Sequence, residues 1–235
     1  MDKRVKILLA FIFALGLIVL VILSNGLKAL VESLGPQMTQ SKVTLSSADV
    51  SLLSGEGHFQ GLFIGNPEGF ETASAFSLRE ISFTLDKSSL ATDTIVLISL
   101  HIIAPQVTLE SGADGSYLDQ LQKNITSYLG STESKDREPA KKIIIQDLLI
   151  TEGQLSYGLI GEKTLDLRLP EIHITQIGTQ SDGVSVAEAA AKIIGVLSSE
   201  ATKVALNSVP LKTFGDSLQE KIKDKTSDLK NLFKR

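Results

Sequence analysis

The chain has 235 residues, no Cys and no Trp, and 23 basic against 27 acidic residues, for a formal net charge of −4. The missing thiols exclude disulfides, thiolate metal sites and lipoprotein processing, and an aromatic content of 5% argues against aromatic platforms for sugars or nucleobases. Charge is unevenly spread: Lys3, Arg4, Lys6 and Lys28 against Asp2 make residues 1–30 +3 and leave −7 beyond, a poor match to nucleic acid, which needs a basic footprint.

A short basic start, Asp2 to Lys6, precedes an uncharged apolar run from Ile7 to Leu23. Seventeen residues of helix span roughly 25 Å, the lower limit for a hydrocarbon core. The run ends in bulky Val21, Ile22 and Leu23, with no small-x-small cleavage site behind it, so a retained single-pass anchor is expected in preference to a cleaved signal. The basic flank predicts a cytoplasmic N-terminus and export of everything after about residue 35. Leu27, Leu30, Val31 and Leu34 continue a helical stripe until Gly35 and Pro36 end it, so residues 1–35 are expected to form the transmembrane anchor and its juxtamembrane extension.

Beyond Pro36 the chain is rich in β-branched residues at period two. Strands are predicted at Val43–Leu45, Val50–Leu52, Phe59–Ile64, Phe76–Leu85, Ile95–Leu109, Ile143–Tyr157 and Leu165–Ile177. Their apolar parity changes at each Gly or Pro. Ile98, Leu100 and Ile102 give way across Pro105 to Val107 and Leu109. Leu148 and Ile150 give way across Gly153 to Leu155 and Tyr157, and Leu165, Leu167 and Leu169 across Pro170 to Ile172 and Ile174. Because a one-residue shift turns every side chain over, one apolar face survives only if each strand bulges or bends there. Gly57, Pro105 and Gly153 also lie 48 residues apart, which aligns Leu100, Ile102, Val107 and Leu109 with Leu148, Ile150, Leu155 and Tyr157.

The fold class expected is mainly β with α: an N-terminal transmembrane helix, a curved antiparallel sheet over residues 36–183, and C-terminal amphipathic helices over 184–235. Within the sheet domain, a helix is predicted over 116–129, with Leu118, Leu121, Ile125 and Leu129 as its stripe, and a polar linker over 130–140. Ser185 and Glu188 form a capping box for a helix that would bury Val186, Ala190, Ile193, Leu197, Ala201 and Val204. A last helix from about Phe214 carries Leu218, Ile222, Leu229, Leu232 and Phe233, and packing onto the sheet is its expected fate.

No catalytic constellation emerges. His58, His101 and His173 alternate with apolar neighbours, which sets them on the polar face of strands without ligand spacing. No G-x-S-x-G occurs, and Gly55 to Gly57 is too short for a phosphate loop. The reading is therefore non-enzymatic, with no metal and no cofactor. The apolar sheet face is the functional candidate: whatever the helices leave open would be a groove for acyl chains, lined by Phe83, Leu85, Leu100, Ile102, Leu148, Ile150, Leu167 and Ile174. The alternative is a face closed by helices, making a structural or protein-interaction module.

The stretch Gly61–Phe70 (GLFIGNPEGF), the strand Leu78–Leu85, Ser89 and Leu90 before a long strand to Pro105, Tyr117–Leu121 (YLDQL) and Leu169–Gly178 resemble the AsmA-like family of envelope proteins, over about residues 1–180. Tyr117 stands where that family usually has Asn. The resemblance implies an inner-membrane protein with a periplasmic, taco-like open sheet groove related to bridge-like lipid carriers, and a role in envelope lipid homeostasis. Its partners would be the membrane, phospholipid and envelope proteins. The chain is much shorter than large members, so one copy would make a short trough.

Overall fold

The computed structural model describes residues 26–66, 76–112, 115–132, 141–158, 165–179 and 182–208. Residues 1–25 of the anchor expected over 1–35, residues 133–140 of the linker expected over 130–140, and the helix expected after Phe214 lie outside them. Among the described residues no helix is long and apolar enough to cross a membrane.

The first helix, α1, covers residues 26–39. It passes through Gly35 and Pro36, where it was expected to stop. Proline removes its own N–H donor and crowds the carbonyl one turn back, but its own carbonyl still accepts from Gln40 N at 2.9 Å, and Thr39 Oγ1 donates to Gly35 O at 2.8 Å. Among the described residues ten strands follow in one open sheet: β1 (Val43–Thr44), β2 (Ser47–Val50), β3 (Glu56–Ile64), β4 (Phe76–Leu85), β5 (Thr94–Gly112), β6 (Gly115–Ser116), β7 (Lys142–Thr151), β8 (Gln154–Gly158), β9 (Leu165–Arg168) and β10 (Ile172–Ile177). Their order is β1-β3-β4-β5-β7-β10, with β2 beside β3, β6 and β8 beside β5, and β9 beside β8. Val50 is the last residue of β2; the apolar pair Leu52 and Leu53, read partly as strand, instead forms an exposed turn.

The sheet is mixed, which corrects the all-antiparallel expectation. β5 pairs in parallel with β7 and with β8, while the other pairs are antiparallel. A parallel pair needs a crossover connection, and helix α2 (Tyr117–Thr132) lies in that connection. The parallel register runs Thr94–Lys142 to Ile103–Thr151 and Gln106–Gln154 to Glu110–Gly158. The 48-residue sequence spacing is thus a lateral one: every residue of β5 that pairs with β7 or β8 sits beside the residue 48 further on. Gly57 does not extend this register, since it pairs antiparallel with Val50 and Phe83.

The parity changes form a crease. Inward residues switch from Gly57 and Phe59 to Leu62 and Ile64 across Gly61, from Ile81 and Phe83 to Leu78 and Phe76 across Arg79 and Glu80, and from Ile102 to Pro105 across Ala104. They switch again from Ile150 to Leu155 across Glu152 and Gly153. Gly61, Ala104 and Glu152 have φ of +62°, +52° and +57°. Gly61 lies between the pairs Gln60–Glu80 and Leu62–Leu78, and Ala104 between Glu80–Ile103 and Leu78–Pro105, so the left-handed residues line up across neighbouring strands. A Cβ on Gly61 would also collide with Ser46 Oγ. A second irregularity was not foreseen. The β4–β5 register shifts between Thr84–Ser99 and Leu85–Leu97, so Leu97 turns inward and Ile98 is 45% exposed, against its expected inward orientation.

Helices α2 and α3 (Val186–Ser208) cover the apolar face. Leu118, Leu121 and Ile125 of α2 are buried in the core. The capping box of α3 forms in both directions, with Ser185 N donating to Glu188 Oε2 at 2.6 Å and Glu188 N to Ser185 Oγ at 3.1 Å. The buried face of α3 is rotated from the one expected. It consists of Ala187, Ala189, Ile194, Gly195, Leu197, Ser198, Ala201 and Ala205, while Val186 is 58% exposed. These small residues let α3 approach α2 closely: Ser198 Oγ donates to Asp119 Oδ1 at 3.0 Å, and a Cβ on Gly195 would meet Gln122 Nε2 at 2.8 Å.

Candidate functional site

The residues nominated for a groove are brought together by the ladder. Phe83, Leu100, Leu148 and Ile174 form one row across β4, β5, β7 and β10, because Phe83 pairs with Leu100, Leu100 with Leu148, and Leu148 with Ile174. The next row is Ile81, Ile102, Ile150 and Ile172. Leu85 lies beyond the first row at the end of β4, and Leu167 across the crease on β9 opposite Leu155.

Burial differs along these rows. Leu100, Ile102, Leu148 and Ile150 are buried in the core that α2 and α3 complete, with Leu148 at 0% exposure. Leu85 is buried too. Phe83, Leu167 and Ile174 are half-buried at the margins. At the β3–β4 margin, Phe83 joins two residues not nominated from sequence, Phe59 and Ile81, which are also half-buried and paired with one another. The Phe59 and Phe83 rings meet edge to face, with centroids 5.3 Å apart. The signal for Phe59 was its place in a predicted strand; that it flanks Phe83 depended on pairing that spacing does not specify.

The opposite face carries all three histidines in a single row. His58 pairs with Ser82, Ser82 with His101, His101 with Leu149, and Leu149 with His173. His58 Nδ1 lies 3.1 Å from Glu80 Oε1, His101 Nε2 2.8 Å from Thr151 Oγ1, and His173 Nε2 2.5 Å from Asp147 Oδ1. The carboxylates come from adjacent strands and so were invisible in sequence spacing. One strand lies between neighbouring histidines, so two inter-strand spacings, about 9–10 Å, hold them too far apart for one ion. Among the described residues no group of three or more His, Asp or Glu is placed to hold a metal.

Tyr117 fixes the start of α2 to the sheet. Tyr117 is 2% exposed, and its hydroxyl donates to Gly65 O at 3.0 Å. Burial pushes its pKa up to about 12, opposed by a hydrogen bond with Ser41. Asn124 Nδ2, one helical stretch further on, donates to Thr39 O at 2.8 Å and ties α2 to the end of α1. These are structural contacts and offer no reactive group.

The chain matches no protein-family model, no curated protein and no solved structure.

Proposed function

We propose that this is a non-enzymatic, membrane-anchored periplasmic protein of AsmA-like type that takes part in envelope lipid homeostasis by holding or guiding phospholipid acyl chains. The observation that carries this reading is the half-buried apolar margin of Phe59, Ile81 and Phe83 on the inner face of an open sheet. An acyl chain laid there gains about 0.8 kcal/mol per methylene buried and needs no polar recognition. The occupied length is short, because the rows continue beneath α2 and α3.

That same covering favours a second reading, a structural or protein-interaction module of the envelope. Leu100, Ile102, Leu148 and Ile150 are buried as a domain core is, and a closed core has no room for lipid. Purifying the full chain in mild detergent and extracting it for mass spectrometry separates the two. Lipid handling predicts phospholipid retained above the level of an unrelated single-pass membrane protein. The interaction reading predicts retention at that background level.

A further inference from the structure

We infer that the turn between β2 and β3 dips into the outer surface of the bilayer that holds the anchor, with Leu52 and Leu53 as the inserting residues; this rests on the membrane-anchored reading. Leu53 is 89% exposed and Leu52 48% exposed, and the two are adjacent at the tip. The turn that displays them is well held. Gly55 N donates to Ser51 O at 2.8 Å, Ser54 N to Ser51 Oγ at 3.2 Å, and Lys87 Nζ to Leu53 O at 2.8 Å. Gly55 takes φ +81°, with Leu85 O 2.9 Å from where a Cβ would stand, so glycine is needed to close the turn.

Direction supplies the partner. A Cβ on Gly35 would touch Val43 at 2.8 Å, Glu32 Oε1 accepts from Leu45 N at 3.0 Å, and Lys28 Nζ donates to Ser46 O at 3.2 Å. Moving back along α1 therefore means moving forward along the chain from Val43 to Ser46. β1 and β2 both run antiparallel to β3, so the same direction continues through β2 into the turn. The N-terminal end of α1 and the leucine tip thus point the same way. The five residue steps from Ser46 to Ser51 cover roughly 17 Å in that direction, whereas Leu23, the last residue of the apolar run, is at most about 11 Å of chain from Gly26. The tip therefore extends beyond the N-terminal end of α1, on the side from which the chain leads back to the apolar run.

Charge does not drive the contact. Lys87, Lys141 and Lys142 at this end of the sheet are offset by Glu56, Asp86, Asp93 and Asp182 at the same end, and Lys142 is paired with Asp182. Insertion is apolar and proceeds equally in zwitterionic lipid.

The chain has no Cys, so single labels are clean. Leu53→Cys, Gln106→Cys on the polar face, and Leu15→Cys in the apolar run are each labelled with an environment-sensitive dye in the full chain, reconstituted in phosphatidylcholine vesicles. Nitroxide-bearing lipid is expected to quench the labels at 53 and 15 at least twofold more than that at 106. Quenching at 15 but not at 53 overturns the tip insertion and leaves the anchor standing. No quenching at 15 overturns both. A label at 53 that is blue-shifted but unquenched marks a protein contact instead and also overturns the inference.

Discussion

Arg79 Nη2 reaches Glu152 Oε2 at 2.9 Å although the strand of Ala104 lies between theirs. The bridge crosses the crease over a methyl side chain, and both partners are 59% exposed. Ion pairs so exposed contribute about 0.5 kcal/mol or less, so the pair follows the crease and does not make it. The backbone makes it, through left-handed residues at Gly61, Ala104 and Glu152.

Substitution should separate the two. Arg79→Ala is expected to lower stability by about 0.5 kcal/mol or less. Ala104→Val, which puts a β-branched side chain at φ +52°, is expected to lower it by about 2 kcal/mol. Urea unfolding midpoints of the two variants test this; equal losses would return the crease to the ion pair.

Leu148 is the most enclosed of the nominated groove residues, and Leu148→Ala is expected to cost about 3 kcal/mol as a cavity in a packed core. Leu53→Ala, at the exposed tip, is expected to change stability by about 0.5 kcal/mol or less. Thermal unfolding in detergent checks both.

How far the sequence carried is clear from the strands themselves. Parity changes at Pro105 and Gly153 were legible because proline and glycine mark them, and both sit on the crease. The changes at Arg79 and at Ile98 carry no such mark: the first arises from register against Gly61 and Ala104, the second from a bulge. The 48-residue spacing was legible as a number, yet its meaning as a parallel pairing of Leu100 with Leu148 depends on α2 crossing over the sheet. The capping box of Ser185 and Glu188 was readable because it is local. The buried face of α3 was not, since alanines and Gly195 packed on α2 outrank larger Val186 only once the partner helix is in place.

The capping box gives a compact test of local energetics. Ser185→Ala removes the acceptor for Glu188 N and is expected to lower stability by about 1 kcal/mol. Ser185→Asp, which keeps an acceptor oxygen, should restore most of the loss in the same unfolding assay.

Tyr117 predicts an alkaline transition. Its folded pKa of about 12 lies above the ordinary value of 10, so the folded state holds the proton more tightly. The stabilisation is complete below pH 10 and is lost as pH rises towards 12, amounting to about 2–3 kcal/mol. In Tyr117→Phe, which gives up the hydrogen bond to Gly65 O, stability should be lower at pH 8 and the difference from the parent should shrink between pH 10 and 12. Denaturant midpoints against pH measure it.

Acyl-chain handling at the β3–β4 margin is tested most directly by photo-cross-linking in native membranes. A photoreactive amino acid replaces Phe83, and in a control it replaces Gln106 on the polar face. Phospholipid adducts on the Phe83 peptide and none on the Gln106 peptide are predicted. Adducts absent from Phe83, or equal at both positions, would contradict lipid handling and leave the interaction module.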